Sequence, residues 1–315
     1  MKISKKQNVC HENENYPDNQ ISVFEFMDNI IFDLKKSGKN RTSETYQSTS
    51  NSFKRFRNDK DLTFAELNAQ MIMSYESYLK DNGICLNSSS FYMRTFRAIY
   101  NKAVNYNLTK QQFPFKKVYT GIDKTIKRSV SLNTIRVIKS IDLSSDSSLD
   151  FARNMFLFSF YTRGMSFVDM AYLQKKDLKQ GILSYHRRKT KQQLFIRWEK
   201  CMQDIVDKYD TSNSQYLLPI IDSHCNVDER KQYLRASQKV NYHLKKLGEN
   251  ISLQNSLTMY VARHSWASIA KGKNIPISVI SDSLGHNSEL TTQIYLSTID
   301  NNVIDNTNSM IIKLL

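Results

Sequence analysis

A short C-terminal stretch holds the residues best suited to chemistry. Arg263-His264 lies in the run TMYVARHSWASIA, Leu284-Gly285-His286 follows, and Tyr295 stands nine positions after His286, closing Thr291-Thr292-Gln293-Ile294-Tyr295. A guanidinium offers forked hydrogen bonds to an anionic oxygen. An imidazole gives or takes a proton near neutral pH. A phenol is an oxygen nucleophile able to form a covalent ester. Taken singly each piece is weak, since a lone tyrosine usually packs and a lone Arg-His pair means nothing; the order and spacing together carry the signal. The six histidines form no HExxH, the four cysteines (Cys10, Cys85, Cys201, Cys225) form no CxxC pair, and no Gly-rich phosphate loop occurs. The expected chemistry therefore needs no metal and no cofactor.

The net charge of +15 directs attention to a polyanionic partner, nucleic acid first. An anionic membrane surface ranks behind it, because no run of 18 apolar residues exists. Plain solubility is the bland alternative. The N-terminus lacks the apolar core of a secretory signal, and the scattered cysteines suit a reducing cytoplasm.

These residues need elements to position them. Only 8 Gly and 4 Pro in 315 residues favour helices joined by short loops. Residues 1–20 read as a flexible polar tail. Ser22-x-x-Glu25 reads as a capping box for a helix carrying Val23, Met27, Ile30, Ile31 and Leu34 and ending at Ser37-Gly38. A second helix is predicted over Thr42–Arg57, with Tyr46, Phe53 and Phe56 inward. A third opens at Thr63-x-x-Glu66 and stops near Gly83. A fourth starts after Asn87-Ser88 and reaches Asn105, its polar side carrying Arg94, Arg97 and Asn101. That side suits DNA phosphates or plain solvent equally well. Residues 21–112 thus form a helical bundle, 113–130 a basic linker, and 131–315 a mostly helical second domain. Its exception is a small β-hairpin, where Ile182–Arg188 and Gln193–Trp198 flank Lys189-Thr190-Lys191. The fold class is mainly α with one small sheet.

The Arg263, Leu284-Gly285-His286 and Tyr295 set resembles the tyrosine recombinase (phage integrase) family, and the nine-residue interval matches that family's spacing. The stretch SSFYMRTFRAIYNKAV resembles its core-binding domain, and FLFSFYTRGMSFVDMAYL the region supplying its first arginine. The likeness is strongest to a bacterial branch of mobile-element integrases and DNA invertases. It implies a core-binding domain over 21–112, a catalytic domain over 131–315, double-stranded DNA with specific sites as substrate, and a homotetramer that closes around DNA. It implies Tyr295 as nucleophile, Arg163 and Arg263 on the phosphate, Lys189 as proton donor to the leaving 5′ oxygen, and His286 as hydrogen-bond donor. Asp169 and His264 would orient the site. A 3′-phosphotyrosine ester conserves bond energy for rejoining, so no ATP is required.

Two positions depart from the family pattern. The family's T-G-x-R places arginine where this chain has Ser166; Arg163 lies three residues earlier, one turn away if the segment is helical. Tyr260 stands where the family has the histidine of H-x-x-R, and its hydroxyl is a poor proton shuttle near neutral pH. Lys191 rivals Lys189, and Arg153 or Arg187 rivals Arg163. A type IB topoisomerase-like activity and a DNA-binding regulator of the same fold without full catalysis stay open as other functions. The last six residues, Met310-Ile311-Ile312-Lys313-Leu314-Leu315, include five apolar ones and should dock on their own domain or on a neighbour.

Overall fold

A computed structural model of the chain describes residues 22–123, 128–296 and 312. The chain divides into two compact units, residues 1–125 and 126–315. The expected N-terminal tail lies outside the described residues, as does the C-terminal apolar segment except for Ile312.

The first unit is helical: α1 Val23–Lys36, α2 Asn40–Phe56, α3 Ala69–Asp81 and α4 Leu86–Asn105. Ser22 caps α1, its Oγ accepting the Glu25 N–H at 3.0 Å, and Gly38 turns left-handed after the helix at φ 71°. The Thr63–Glu66 pair forms as expected, with the carboxylate accepting the Thr63 N–H at 2.7 Å and its hydroxyl at 2.9 Å. It closes a turn, however, and does not open α3. Phe64 and Leu67 dip into the core there, and the helix begins later, where Asn68 Oδ1 accepts the Met71 N–H. Helix α4 begins at Leu86, ahead of the expected Asn87-Ser88 start, because the Cys85 carbonyl already accepts the N–H groups of Ser88 and Ser89. Asn87 instead makes a two-way amide pair with the Asp123 backbone.

Fully buried Phe53 centres this unit, with ring centroids 4.5 Å from Phe96, 5.1 Å from Tyr75 and 6.1 Å from Phe24. Each such side chain contributes about 1.5–3 kcal/mol by burial. Residues 113–123, expected in the linker, pack on this unit: Phe115 and Val118 are buried in its core and the Tyr119 N–H reaches Glu76 at 2.7 Å.

The second unit runs α5 Leu132–Ser140, α6 Ser147–Tyr161, α7 Phe167–Ala171, β1 Leu178–Lys179, β2 Ile182–His186, β3 Gln193–Arg197, α8 Lys200–Val206, α9 Glu229–Asn250, α10 Met259–Gly272, α11 Ile277–Leu284 and α12 Glu289–Tyr295. Helix α6 is buried over most of its surface, from Leu149 to Ser159, which marks it as the central helix. It packs against α8, α9 and α10. The sheet is antiparallel in the order β1-β2-β3, with Leu183 opposite Ile196 and Tyr185 opposite Leu194. Those four side chains are buried, while Ile182, His186, Gln193, Phe195 and Arg197 face out, the period-2 alternation of a half-covered sheet. A small cluster of Ala267, Ile280, Leu284 and Leu296, with Trp266 against it, packs α11 and the end of α12 onto α10.

Candidate active site

Helix α6 ends at Tyr161, and the next residues reverse the chain. Arg163 (φ 59°) and Gly164 (φ 74°) are both left-handed, and the Gly164 N–H returns to the Ser159 carbonyl at 2.7 Å. The segment is therefore not helical, and the expected one-turn offset of Arg163 from Ser166 is replaced by a tight turn. The turn presents the Gly164 carbonyl to Arg263 Nη1 at 2.8 Å. A Cβ on Gly164 would lie 2.7 Å from Arg263 Cα, so only glycine permits this approach. Ser166 then caps α7 and donates to Asp169 Oδ2 at 2.6 Å. The other oxygen of this buried carboxylate accepts the Arg188 N–H at 2.8 Å. Asp169 thereby ties α7 to the hairpin.

The β2–β3 turn is closed by Arg187 N–H to the Gln192 carbonyl and Lys191 N–H to the Arg187 carbonyl, both 2.8 Å. Lys189 and Lys191 are exposed on it. Arg187 points inward, is buried, and donates from Nη1 to the Gly285 carbonyl. Its Nε, the Thr190 hydroxyl and the Gln192 side-chain oxygen are buried without hydrogen-bond partners. Gly285 sits at φ 63°, and a Cβ there would meet Arg187 Cδ at 2.7 Å. Arg188 lies with its guanidinium carbon 3.8 Å from the Tyr172 ring centroid.

Arg263, on α10, is buried and spans several groups of the site. Besides Gly164 it donates to the Leu284 carbonyl at 2.5 Å and approaches His286 Nε2 at 3.2 Å. His286 Nδ1 lies 2.8 Å from the hydroxyl of Thr292, a fully buried residue on α12 one turn before Tyr295. Burial first, then the charges of Arg263, Arg187 and Lys189, push His286 down to about 4. The imidazole is neutral at pH 7. Facing a donor-only guanidinium, its Nε2 holds a lone pair and Nδ1 holds the proton. Burial, followed by Asp169, raises the Tyr185 hydroxyl, while the charges of Arg263, Arg187 and Arg163 oppose the rise. These guanidiniums therefore share one neighbourhood around Tyr185.

The structure thus brings together Arg163, Asp169, Lys189, Arg263 and His286. The charge of Lys189 is among those that hold His286 down. Tyr295 ends α12; its side chain lies outside the described residues. Tyr260 is exposed on α10, its ring edge-on to buried His264 with centroids 4.4 Å apart. Arg153 belongs elsewhere, paired with Asp150 and the Ile141 carbonyl. In the first unit, Arg97 is exposed with Nη1 3.5 Å from the Thr120 hydroxyl, and Arg94 Nε lies 3.4 Å from the Ser90 carbonyl. Sequence reasoning named Arg187 only as a substitute for Arg163 and missed Thr292. The signals that could have found them are the adjacency of Arg187 to the basic hairpin tip and the one-turn offset of Thr292 from Tyr295.

The arrangement is a cluster of cationic donors beside a neutral imidazole, suited to an anionic ester in its transition state. Residues 22–118 match the phage integrase SAM-like domain model and residues 136–301 the phage integrase family model. Tyrosine recombinase XerC of Treponema denticola is 25% identical over 268 residues, covering 81% of this chain and 87% of that one. A lambda integrase tetramer bound to a Holliday junction is structurally similar, with a TM-score of 0.64 at 16% identity, covering 90% of this chain and 80% of that one. The Tn1549 transposon integrase in complex with transposon right end DNA also gives 0.64, at 10% identity, over 93% of this chain and 99% of that one.

Proposed function

The chain belongs to the phage integrase family of tyrosine recombinases, and on that premise we propose that it cuts and rejoins double-stranded DNA at specific sites through a 3′-phosphotyrosine bond to Tyr295. The observation that carries this reading is the contact of Arg263 with His286, on α10 and the Leu284-Gly285-His286 turn, beside the hairpin that bears Lys189. Tyr295 oxygen attacks the scissile phosphorus and gives its proton to water as the new ester forms. Arg263 and Arg163 hold the non-bridging oxygens, and their charge stabilises the extra negative charge of the transition state. Lys189 protonates the departing 5′ oxygen, which breaks the P–O bond. His286 donates a hydrogen bond to the phosphate, with Tyr260 at the margin. Asp169 and His264 hold these groups in place. A 5′ hydroxyl from another strand then reverses the first step and frees Tyr295, so bond energy is conserved without a nucleotide.

Arg94 and Arg97 contact phosphates from the first unit, while the second unit carries the chemistry. Four protomers act on two sites, a reading supported by the structurally similar lambda integrase tetramer bound to a Holliday junction. The reaction serves integration or inversion of a DNA element in the bacterial cytoplasm.

The test uses nicked duplexes selected from a random-sequence pool by binding to the protein. Wild type should form a covalent adduct. Tyr295→Phe should form none while binding with near-unchanged Kd. An adduct surviving in that variant moves the nucleophile, Tyr260 and Tyr242 being the next tyrosines to examine, and overturns the assignment.

A further inference from the structure

The Thr292 hydroxyl faces the side of His286 that does not face Arg263. It is fully buried, 2.8 Å from Nδ1, and one turn before Tyr295 on the same helix. The imidazole faces opposite demands before and after DNA arrives. Without DNA, Nε2 meets Arg263 Nη2, which only donates, so Nε2 must accept and Nδ1 must carry the proton. On a phosphate, which only accepts at its ionised oxygens, Nε2 must donate. A carboxylate beside Nδ1 would lock the proton on Nδ1, and a backbone N–H would lock it on Nε2. A hydroxyl serves both, because it accepts from Nδ1–H and, after rotating, donates to bare Nδ1.

We propose that Thr292 is a positioning residue whose hydroxyl lets His286 exchange its Nδ1–H form for its Nε2–H form when a phosphodiester enters the site. In the exchange one proton leaves Nδ1 to water and one arrives at Nε2 from water, so the net charge of the ring is unchanged. The neutral route matters because the cations around the ring, Arg263 from α10 and Arg187 and Lys189 from the hairpin, oppose a charged imidazolium. The same bond ties the helix ending in Tyr295 to the turn bearing His286. The inference rests on the proposed role of His286 at the scissile phosphate.

The experiment uses full-length protein with ¹⁵N-labelled histidine rings and the selected nicked duplex. The DNA-free protein should show His286 with its proton on Nδ1. Tyr295→Phe, which binds without cutting, should show it on Nε2 once the duplex is added. Thr292→Val keeps the shape and removes the hydroxyl; adduct formation should slow by about 10–100-fold at unchanged Kd for the duplex. Thr292→Ser should return the rate to within about threefold of wild type, which pure packing would not do. A wild-type rate in folded Thr292→Val, no rescue by folded Thr292→Ser, or a ring proton that stays on one nitrogen with and without DNA overturns the inference. If Thr292→Val does not fold, the serine variant and the ring spectra decide. A parent protein that forms no adduct through Tyr295 fails the functional reading instead, a distinct result.

Discussion

The two units bury polarity in different ways. In the first, the buried polar side chains among the described residues carry only hydroxyls, from Ser43 to Thr95, around an aromatic core. The second buries Arg153, Asp169, Arg187, Arg263 and His264. Taking an ion out of water costs several kcal/mol, so each buried charge needs compensation. Arg153 finds it in a carboxylate: Asp150 pairs with it and also meets Lys208 at 3.6 Å. Arg187 and Arg263 lean on peptide carbonyls, those of Gly285, Gly164 and Leu284. A carbonyl dipole holds a guanidinium in place without itself bringing a full opposite charge. A cation neutralised by a carboxylate is a structural tie; cations held on dipoles keep a field in which an anion is stabilised.

The sharpest way to break this contrast is to truncate one arginine of each kind. Arg263→Ala should lower adduct formation by about 10²–10³-fold, as removal of a transition-state donor does, in protein that is still folded. Arg153→Ala should cost about 3 kcal/mol in denaturant unfolding while leaving the rate per folded molecule unchanged. Swapped outcomes would mean that the carbonyl partners do not distinguish the site. Next in size, Arg163→Ala should slow cleavage by at least about 10²-fold. Ser166→Ala should cost about 1 kcal/mol of stability through its lost cap, with a milder loss of rate. Equal, mild losses of rate from both would remove Arg163 from the phosphate. The smallest effect is a pH dependence. The folded-state value of His286, about 4, lies below the ordinary 6.5, so on acidification the unfolded chain takes up this proton first. The contribution of His286 to stability is then complete above pH 6.5 and is lost as pH falls toward 4. Urea midpoints measured across that window should fall more steeply in wild type than in His286→Gln; parallel curves would place the titration elsewhere.

Local rules were enough for much of this protein. The Ser22 cap, the Gly38 stop, the alternation along β2 and β3 and the inward Phe53 follow from side-chain chemistry within a few residues, so each could be read before folding. The Thr63–Glu66 pair shows the limit: its hydrogen bonds were legible, but whether a helix followed depended on Phe64 and Leu67 finding a core. The pairing of Arg263 with His286 was likewise legible, because family spacing is a sequence property. Arg163 was misread in its geometry, since a reversal at Arg163-Gly164 is stabilised by Arg263, which is 99 residues away along the chain at their hydrogen bond. The inward turn of Arg187 onto Gly285 and the placement of Thr292 against His286 are contacts between elements distant or differently oriented in the chain. Sequence by itself determined which functional groups are present and which helices and strands carry them, because those depend on local preference and periodicity. Tertiary structure alone decided which buried cations meet a carboxylate and which meet peptide carbonyls, because that depends on the group that packing brings within hydrogen-bond reach.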